Sequence, residues 1–343
     1  MTPGGPDATT EVVVVGAGIA GLMAARTLSA AGAKVVVLDK GRAVGGRMAT
    51  RRLGDAVCDH GAQFFTTPGD ELGALAAEWT EAGVIEPWFG GRLEPDGSVQ
   101  ADGHPRWRGR SGMTAVAKHL AAGLDVRTGQ RVSALVADPT GTAGRWRIEI
   151  DGADPLQARS LVLTAPVPQT LALLEAGGAE LDPVDAHELG VLAYHPCIAV
   201  MAPLDGPSGL AEPGAWRLDA EPIEFLADNQ MKGISPVPAL TVHLGVATSG
   251  SWWDQDDVEI VGWVTEALPA LAANVVTAAT QVHRWRFARP VECRSEPTRL
   301  LRDLPPAAMA GDIFGGPLVG GAARSGGAAG RLLAERLVIE RSS

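Results

Sequence analysis

The sequence predicts an α/β fold built on a parallel sheet, and three features near its N-terminus support this. Residues 11–15 form an apolar β-branched run that ends in glycine, which is typical of a buried strand. An alanine-rich pattern from Ile19 to Ala31 predicts a helix that ends at Gly32. A second β-branched run, Lys34 to Leu38, ends on Asp39 and completes a βαβ unit of about 30 residues.

The length and composition predict a two-domain globular protein. A chain of 343 residues suits two domains, since one domain usually has about 100–200 residues. The chain is 46% hydrophobic and 20% charged, as in folded soluble proteins. With 29 basic and 40 acidic side chains the net charge is −11, which repels phosphate backbones. We therefore expect no nucleic-acid partner.

The cysteines and termini point to a cytoplasmic protein. Cys58, Cys197 and Cys293 are odd in number and far apart, so the sequence predicts neither a disulfide framework nor a metal site. Residues 1–10 lack the basic start and apolar stretch of a secretion signal and are expected to be flexible. No apolar run reaches about 18 residues, so we expect no membrane partner.

Further elements follow from periodicity and breaker residues. The region around 181–280, rich in short β-type runs, predicts a sheet of its own. Elsewhere the patterns predict helices over 70–82, 113–122 and 322–339, strands over 145–150 and 160–165, a strand end at 308–312, and a hairpin or irregular stretch over 90–105.

The turn between the first strand and helix carries a G-x-G-x-x-G motif, Gly16 to Gly21. Its context supports dinucleotide binding, because it joins a strand to a helix and is followed by Asp39, an acceptor for ribose hydroxyls. Gly16 permits the tight turn, Gly18 lets the backbone approach a pyrophosphate, and Gly21 lets the helix pack on the strand. Ala20 lies in the first turn of that helix, whose free N–H groups suit phosphate. The motif alone does not choose between NAD and FAD.

Two segments downstream of this turn carry further glycine-rich motifs: 39–52, which contains Gly45-Gly46-Arg47, and 58–65, which contains His60-Gly61-Ala62-Gln63. These segments resemble the corresponding ones of renalase-like proteins of the flavin amine oxidase superfamily. The resemblance continues through four shorter segments, 110–113, 161–169, 283–286 and 311–312, and is thin between about 170 and 280.

The resemblance implies a Rossmann-type, glutathione-reductase-like FAD-binding domain with an inserted mixed-sheet substrate domain. The FAD-binding domain is expected to be discontinuous, and the substrate domain to be assembled from two inserts. The predicted boundaries are 11–75, 105–175 and 281–343 for the FAD-binding domain, and 76–104 and 176–280 for the substrate domain.

By this resemblance, Gly45, Gly46 and Arg47 lie against the FAD pyrophosphate. The chemistry agrees, because a guanidinium fork matches phosphate oxygens and the adjacent glycines allow close approach. Lys40 and Arg42 are further candidates for cofactor binding, with a solvated surface charge as the alternative for the arginines.

The segment 60–65 is implied to run beside the isoalloxazine, with Gly61, Ala62 and Gln63 near the ring. Cys58 and His60 are expected to be ordinary buried loop residues. Val132 is implied to contact adenine through its main chain, although it could equally be plain core.

At the C-terminus, Asp312 is implied to bind a ribityl hydroxyl. Gly320, Gly321 and Ala322 are implied to bring the N-terminus of the last helix to the flavin, and a simple glycine-rich turn is the alternative. Many superfamily members tether FAD through a cysteine near this helix, but residues 324–330 contain none. We therefore expect noncovalent FAD.

The implied activity is an oxidase that moves hydride from a small donor to flavin N5, with molecular oxygen as acceptor. The first hypothesis is a renalase-like oxidase of isomeric dihydro-NAD(P), a donor that releases hydride without a strong base. The alternatives are an amine oxidase or desaturase, for which the single tyrosine, Tyr194, offers little of an aromatic cage, and a flavin-binding protein without turnover.

The candidate catalytic residues are His243, Trp285 and Gln63, and for the first two a core or surface role is equally open. Lys232 is a further candidate, because several flavin oxidases use a lysine that holds a water molecule near N5. Its Asn-Gln-Met-Lys setting departs from the family pattern, so we expect a solvated surface lysine.

Overall fold

The fold comes from a computed structural model that describes residues 10–67, 69–94, 96–138, 146–218, 221–268 and 279–342. The predicted flexible segment 1–10 lies outside these residues, apart from Thr10, which begins a strand. The chain forms two compact units. Unit 1 contains the described residues up to Gly46, those of Ala117–Ala193 and those from Pro290 onward; unit 2 contains those of Arg47–Val116 and Tyr194–Arg289.

The strands are β1 (Thr10–Val15), β2 (Val35–Asp39), β3 (Thr50–Leu53), β4 (Ala56–Asp59), β5 (Ile85–Leu93), β6 (Val99–Gly109), β7 (Asp125–Thr128), β8 (Val132–Ala137), β9 (Trp146–Ile150), β10 (Ala153–Leu163), β11 (Tyr194–Pro203), β12 (Ala215–Arg217), β13 (Ile223–Asp228), β14 (Ala239–Leu244), β15 (Gln281–Pro290), β16 (Arg299–Leu300) and β17 (Ala307–Met309). The helices are α1 (Ile19–Ala30), α2 (Asp70–Glu81), α3 (Thr114–Ala121), α4 (Val167–Ala176), α5 (Pro183–Gly190), α6 (Val246–Ser251), α7 (Asp257–Ala267) and α8 (Leu318–Ser342).

Unit 1 is built on the predicted parallel sheet. Its strands run in the order β16-β17-β10-β1-β2-β7, and β1 pairs in parallel with both β2 and β10. The valines of β1 are fully or almost fully buried, as expected for a strand covered on both faces. The βαβ unit and the return of residues 160–163 to the sheet are confirmed.

An antiparallel extension joins this sheet at β10. The first half of β10 pairs with β9, which also pairs with β8, while its second half pairs with β1. The alternating pattern over 145–150 therefore predicted the antiparallel β9 correctly.

The last helix packs closely on α1, and glycines make this possible. A Cβ on Gly326 would overlap the Ala20 carbonyl oxygen, and one on Gly330 would crowd Thr27. The helix was predicted to begin at Ala322 after a glycine-rich turn, but it begins at Leu318, so Gly320 and Gly321 are helical. A Cβ on Gly321 would overlap the Gly316 carbonyl, so glycine here allows a close approach and does not break the helix.

Unit 2 contains the separate sheet predicted for the middle of the chain. Its order is β12-β13-β14-β11-β15, and the pairs among β12, β13, β14 and β11 are antiparallel. Residues of β11, β13 and β14 form a buried core with α7, which includes Ile198, Leu226, Val242 and Ile260. Two hairpins, β3-β4 and β5-β6, belong to the same unit.

The observed units differ from the predicted domain boundaries. The described residues of 47–75, 105–116 and 281–289 group with unit 2, although the prediction placed them in the FAD-binding domain, and 176–193, predicted in the substrate domain, group with unit 1. The cause is pairing: β3 and β4 form a hairpin, and β4 packs against β14 of unit 2. In the described part of the chain, no helix has the length and apolar character needed to cross a membrane.

Candidate functional site

The turn between β1 and α1 requires glycine at two positions. Gly16 has φ +112°, donates its N–H to the Leu38 carbonyl (2.7 Å), and leaves no room for a Cβ beside the Thr164 hydroxyl. Gly21 faces the Gly16 carbonyl, which a Cβ would overlap. Both glycines thus serve the tight packing of helix, strand and turn that the motif predicted.

Gly18 differs from these two because it faces open space. Its φ of −75° is available to any residue, and a Cβ placed on it would meet no atom within 4 Å among the described residues. It caps the N-terminus of α1, where unpaired backbone N–H groups and the positive helix end favour an anion. An open space beside such a helix end fits a pyrophosphate.

The Gly-Gly segment lies directly against this turn. Gly45 donates its N–H to the Ala17 carbonyl (2.9 Å), and a Cβ on Gly46, which has φ +54°, would lie 3.4 Å from the Gly18 Cα. The two glycine motifs, some 30 positions apart in the sequence, are therefore neighbours in unit 1.

Asp39, at the end of β2, is fixed by main-chain donors. Its Oδ2 accepts from Ala17 N and its Oδ1 from Gly41 N, each at 2.6 Å. Each carboxylate oxygen keeps a further acceptor site, which suits the predicted contact with ribose hydroxyls. Lys40 and Arg42 are exposed, and Lys40 Nζ donates to Gln169 Oε1 (3.4 Å).

The remaining predicted cofactor residues of unit 1 lie at strand and helix ends. Val132 is the buried first residue of β8. Asp312 is buried in the loop after β17, next to Gly311, whose N–H donates to Ser325 Oγ (2.9 Å). Ala322 is buried in the first turns of α8, with Gly320 and Gly321.

In unit 2, the segment from His60 to Gln63 packs on Arg47. Ala62 N donates to the Arg47 carbonyl (2.8 Å), and a Cβ on Gly61 would overlap that carbonyl. The Arg47 guanidinium donates to the carbonyl of Ala288 (3.2 Å). The segment is thus held close to Arg47 by its main chain, which explains the glycine at 61.

Two of the predicted catalytic residues, His243 and Trp285, lie in what we call the histidine–tryptophan cluster: His60, His243, His283 and Trp285. Trp285 stacks on the His60 ring (centroids 5.2 Å, 12° apart) and donates its Nε1 to the His60 carbonyl (2.8 Å). His283 meets both rings edge-on, at 4.6 Å from His60 and 4.2 Å from Trp285. His243 hydrogen-bonds to the His60 backbone.

All three imidazoles of the cluster are neutral at physiological pH. Burial lowers the pKa of His60 to about 3, helped by the nearby His283 and the positive charge of Arg51. Burial likewise lowers the pKa of His243 to about 4, and burial together with Arg51 lowers that of His283 to about 4. His60 Nδ1 and His243 Nε2 are buried without a hydrogen-bond partner in the described part of the chain. The cluster is therefore apolar in character, polarisable and weakly basic.

The expectation of a solvated Lys232 is wrong. Its side chain is fully buried and its Nζ lies 2.7 Å from Oδ2 of Asp59, which is also fully buried. The turn after β13, closed by the bond from Lys232 N to the Asp228 carbonyl (2.9 Å), directs the side chain inward. Burial lowers the pKa of Lys232, while Asp59 opposes this shift.

Sequence reasoning missed Asp59, although it lies inside a motif that carries the family resemblance. The available signal was an aspartate that ends the apolar run 56–59, because a buried carboxylate requires a partner. Gln63, the third predicted catalytic residue, belongs to the same network, since its Oε1 accepts from Lys232 Nζ (3.2 Å).

The three cysteines are not expected to be reactive, because their thiols stay protonated at neutral pH. Burial raises the pKa values of Cys58 and Cys197 to about 12. Cys293 is exposed and donates its Sγ to the Asp312 carbonyl (3.4 Å). Within the described ranges, no group of three or more metal-ligating side chains is placed to hold a metal ion.

Two family models match the chain. Residues 14–79 match the model of an NAD(P)-binding Rossmann-like domain, and residues 91–333 match that of the flavin containing amine oxidoreductases. Putrescine oxidase from Kocuria rosea is 50% identical over 68 residues, or 20% of this chain and 14% of that protein. A putative flavin-containing monoamine oxidase from Mycobacterium tuberculosis is 45% identical over 73 residues, or 21% and 16%. These alignments span less than a fifth of either relative.

Solved structures share the fold. A putative protoporphyrinogen oxidase from Exiguobacterium sp. superposes with a TM-score of 0.69 at 14% identity, covering 97% of this chain and 99% of that one. Putrescine oxidase bound to putrescine superposes with a TM-score of 0.62 at 17% identity, covering 97% and 100%. The chain therefore belongs to the flavin-containing amine oxidoreductase family.

Proposed function

We propose that the chain is a renalase-like oxidase that takes hydride from isomeric dihydro-NAD(P) and passes the electron pair to molecular oxygen. The observation that carries the proposal is the histidine–tryptophan cluster, with its three neutral imidazoles and the positive charge of Arg51 beside them. Bound FAD would supply the hydride acceptor at N5.

The weak basicity of the cluster favours a donor that needs no base. A histidine with a pKa of about 3 or 4 takes a proton poorly at neutral pH, because an effective general base has a pKa near the working pH. A dihydropyridine needs no such base, since loss of hydride directly gives the aromatic nicotinamide ring. The electron pair reduces oxygen, which with two protons gives hydrogen peroxide.

The charge near the cluster favours an anionic donor. Arg51 lowers the pKa of His60 and His283 by repelling a second positive charge, and the same field repels an ammonium substrate. A dinucleotide carries phosphates that this charge attracts. Trp285 and His60, stacked on each other, have planar faces suited to a flat heterocycle.

The test is anaerobic mixing of the holoenzyme with donors. Dihydro-NAD(P) isomers should bleach the flavin within seconds, and air should restore its colour with one hydrogen peroxide per turnover. No bleaching by any dihydronicotinamide would overturn the proposal.

Arg51 itself offers a second test with a matched control. Arg51→Gln should raise the KM for the dinucleotide by roughly threefold to tenfold and weaken its salt dependence, with little change in the limiting rate. Arg52, exposed and pointing to the opposite face of the same strand, provides the control variant Arg52→Gln.

An amine oxidase or desaturase is the second candidate, and the identity with putrescine oxidase favours it. Bleaching by diamines or monoamines alone would support this candidate. Bleaching by none of the donors would leave a flavin-binding protein without turnover.

A further inference from the structure

We propose that Asp59 and Lys232 are positioning residues, whose buried ion pair holds the His60–Gln63 segment, and through it Trp285, in the geometry that the hydride donor requires. The inference rests on the proposed function for what reacts there.

Three donors hold the carboxylate of Asp59. Asp59 Oδ2 accepts from Lys232 Nζ (2.7 Å), while Oδ1 accepts from Thr50 Oγ1 (2.5 Å) and from Met113 N (2.8 Å). Both charged side chains are fully buried. The short contact holds the lysine ammonium beside Oδ2 of Asp59, because charge-assisted hydrogen bonds are roughly twice as strong as neutral ones.

Lys232 and the Asp59 main chain together orient Gln63. Nζ of Lys232 donates to Gln63 Oε1 (3.2 Å), and Gln63 Nε2 donates to the carbonyls of Asp59 (2.6 Å) and Gly61 (3.2 Å). The amide therefore bonds at both ends, with its oxygen toward the ammonium. Gln63 in this orientation folds the loop from Gly61 back onto Asp59.

The main chain of Asp59 is anchored from the other side as well. Its N–H donates to Asn229 Oδ1 (3.3 Å), and its carbonyl also accepts from Thr241 Oγ1 (2.9 Å). The next carbonyl, that of His60, accepts from Trp285 Nε1 (2.8 Å). A shift of the segment therefore moves both the His60 ring and its stacked partner.

A contribution to stability does not by itself explain why Asp59 and Lys232 form a buried ion pair. A buried ion pair is often no better than apolar residues of similar volume, whereas removal of one partner leaves a buried unpaired charge. A polar network in which each group has its partner specifies one conformation of the loop. A single and a double variant can therefore distinguish the positioning role of the ion pair from its contribution to stability.

The test uses the holoenzyme of Lys232→Met and of the double variant Asp59→Asn, Lys232→Met. The single variant leaves the Asp59 charge unpaired and should lower the thermal midpoint. The double variant removes that charge while Asn keeps an oxygen for Thr50 and Met113, so the midpoint should return toward the wild-type value. Both should bleach at least tenfold more slowly per bound flavin at saturating donor, since a small misplacement lowers the limiting rate strongly.

Ser249→Ala is the control for general loss of stability. Ser249 is buried in unit 2, where it donates to the Leu244 carbonyl (3.2 Å) and accepts from Ile198 N (3.0 Å). Its removal should lower the thermal midpoint without slowing the bleaching.

A second measurement does not depend on the donor. In holoenzyme with ¹⁵N-labelled histidine, His60 of the double variant should titrate closer to the ordinary value of about 6.5 because the released ring is hydrated. The groups that face His60 in the native cluster are His283, Arg51 and His243.

A wild-type limiting rate in the double variant would overturn the positioning role. If no dihydronicotinamide bleaches the wild type, the proposed function fails, and the histidine titration decides the positioning role by itself: an unchanged His60 refutes it and a raised His60 pKa supports it.

Discussion

A larger residue at Gly18 should prevent cofactor binding without disturbing the fold. Its backbone conformation suits valine, and a Cβ meets nothing within 4 Å, so Gly18→Val should leave the fold intact. The added methyl groups would fill the space assigned to the pyrophosphate. We expect the purified variant to be colourless, with a normal far-ultraviolet circular dichroism spectrum.

The matched control for this change is Gly73→Ala in α2, where a Cβ also meets no neighbour. This variant should gain about 0.5–1 kcal/mol of stability and keep its FAD. FAD retained at wild-type stoichiometry by Gly18→Val would refute the placement of the pyrophosphate.

His60 makes stability depend on pH with a defined sign. Its native pKa of about 3 lies below the unfolded value of about 6.5, so the unfolded state binds the proton more readily. The free energy of unfolding should therefore fall as pH drops below about 6.5, by up to about 1.4 kcal/mol per pH unit from this residue.

The variant His60→Phe keeps a ring to stack on Trp285 and removes the titration. Thermal midpoints at pH 7.5 and 5.5 should differ less in this variant than in the wild type, with His243 and His283 contributing to the difference that remains. Equal pH dependence in the two proteins would contradict the neutral, buried state of His60.

At the scale of the helices, the close packing of α8 on α1 explains why α8 contains a glycine at position 326. A Cβ on Gly326 would overlap the Ala20 carbonyl, a backbone atom that cannot move alone. Gly326→Ala should therefore destabilise the protein by about 1–3 kcal/mol through overpacking. Urea unfolding of the two proteins measures this difference.

Gly327 is the neighbouring control, since its Cβ would meet only the flexible end of Arg331, at 3.3 Å. Gly327→Ala should be neutral or stabilising by up to about 1 kcal/mol. Similar losses in both variants would mean that helix packing is not the reason for Gly326.

For the whole molecule, noncovalent FAD predicts that cofactor and stability are linked. Acid precipitation should leave the flavin in the supernatant. Returning FAD to the apoprotein at 100 times its Kd should add about 2.7 kcal/mol to the free energy of unfolding. FMN, which lacks the adenosine half, serves as the control ligand and should add much less. Flavin that stays with the precipitate would contradict the noncovalent state.

The parts of this protein that were predictable are local in sequence. The βαβ unit, the antiparallel β9 and the glycine turn follow from periodicity and from glycine's conformational freedom over a few residues. Resemblance over the segments 39–52 and 58–65 correctly indicated a flavoprotein family. The helix start at Leu318 was missed because glycine also marks turns, and only the close approach to Gly316 shows why it is helical here.

Pairing between distant residues could not be obtained from the sequence. Lys232 was expected in solvent because a lone lysine usually is, yet Asp59, 173 positions away, receives it in a fully buried network. The same holds for His60, whose ring meets those of His283 and Trp285 only when the loop after β4 folds against β15.

The amino-acid sequence thus determined the sheet, the dinucleotide turn and the family, since each depends on short-range stereochemistry or on contiguous motifs. The tertiary fold decided the charge states and the partners around the histidine–tryptophan cluster. The physical reason is that burial and hydrogen bonding, which set a pKa or orient an amide, are properties of the surroundings and not of the residue itself.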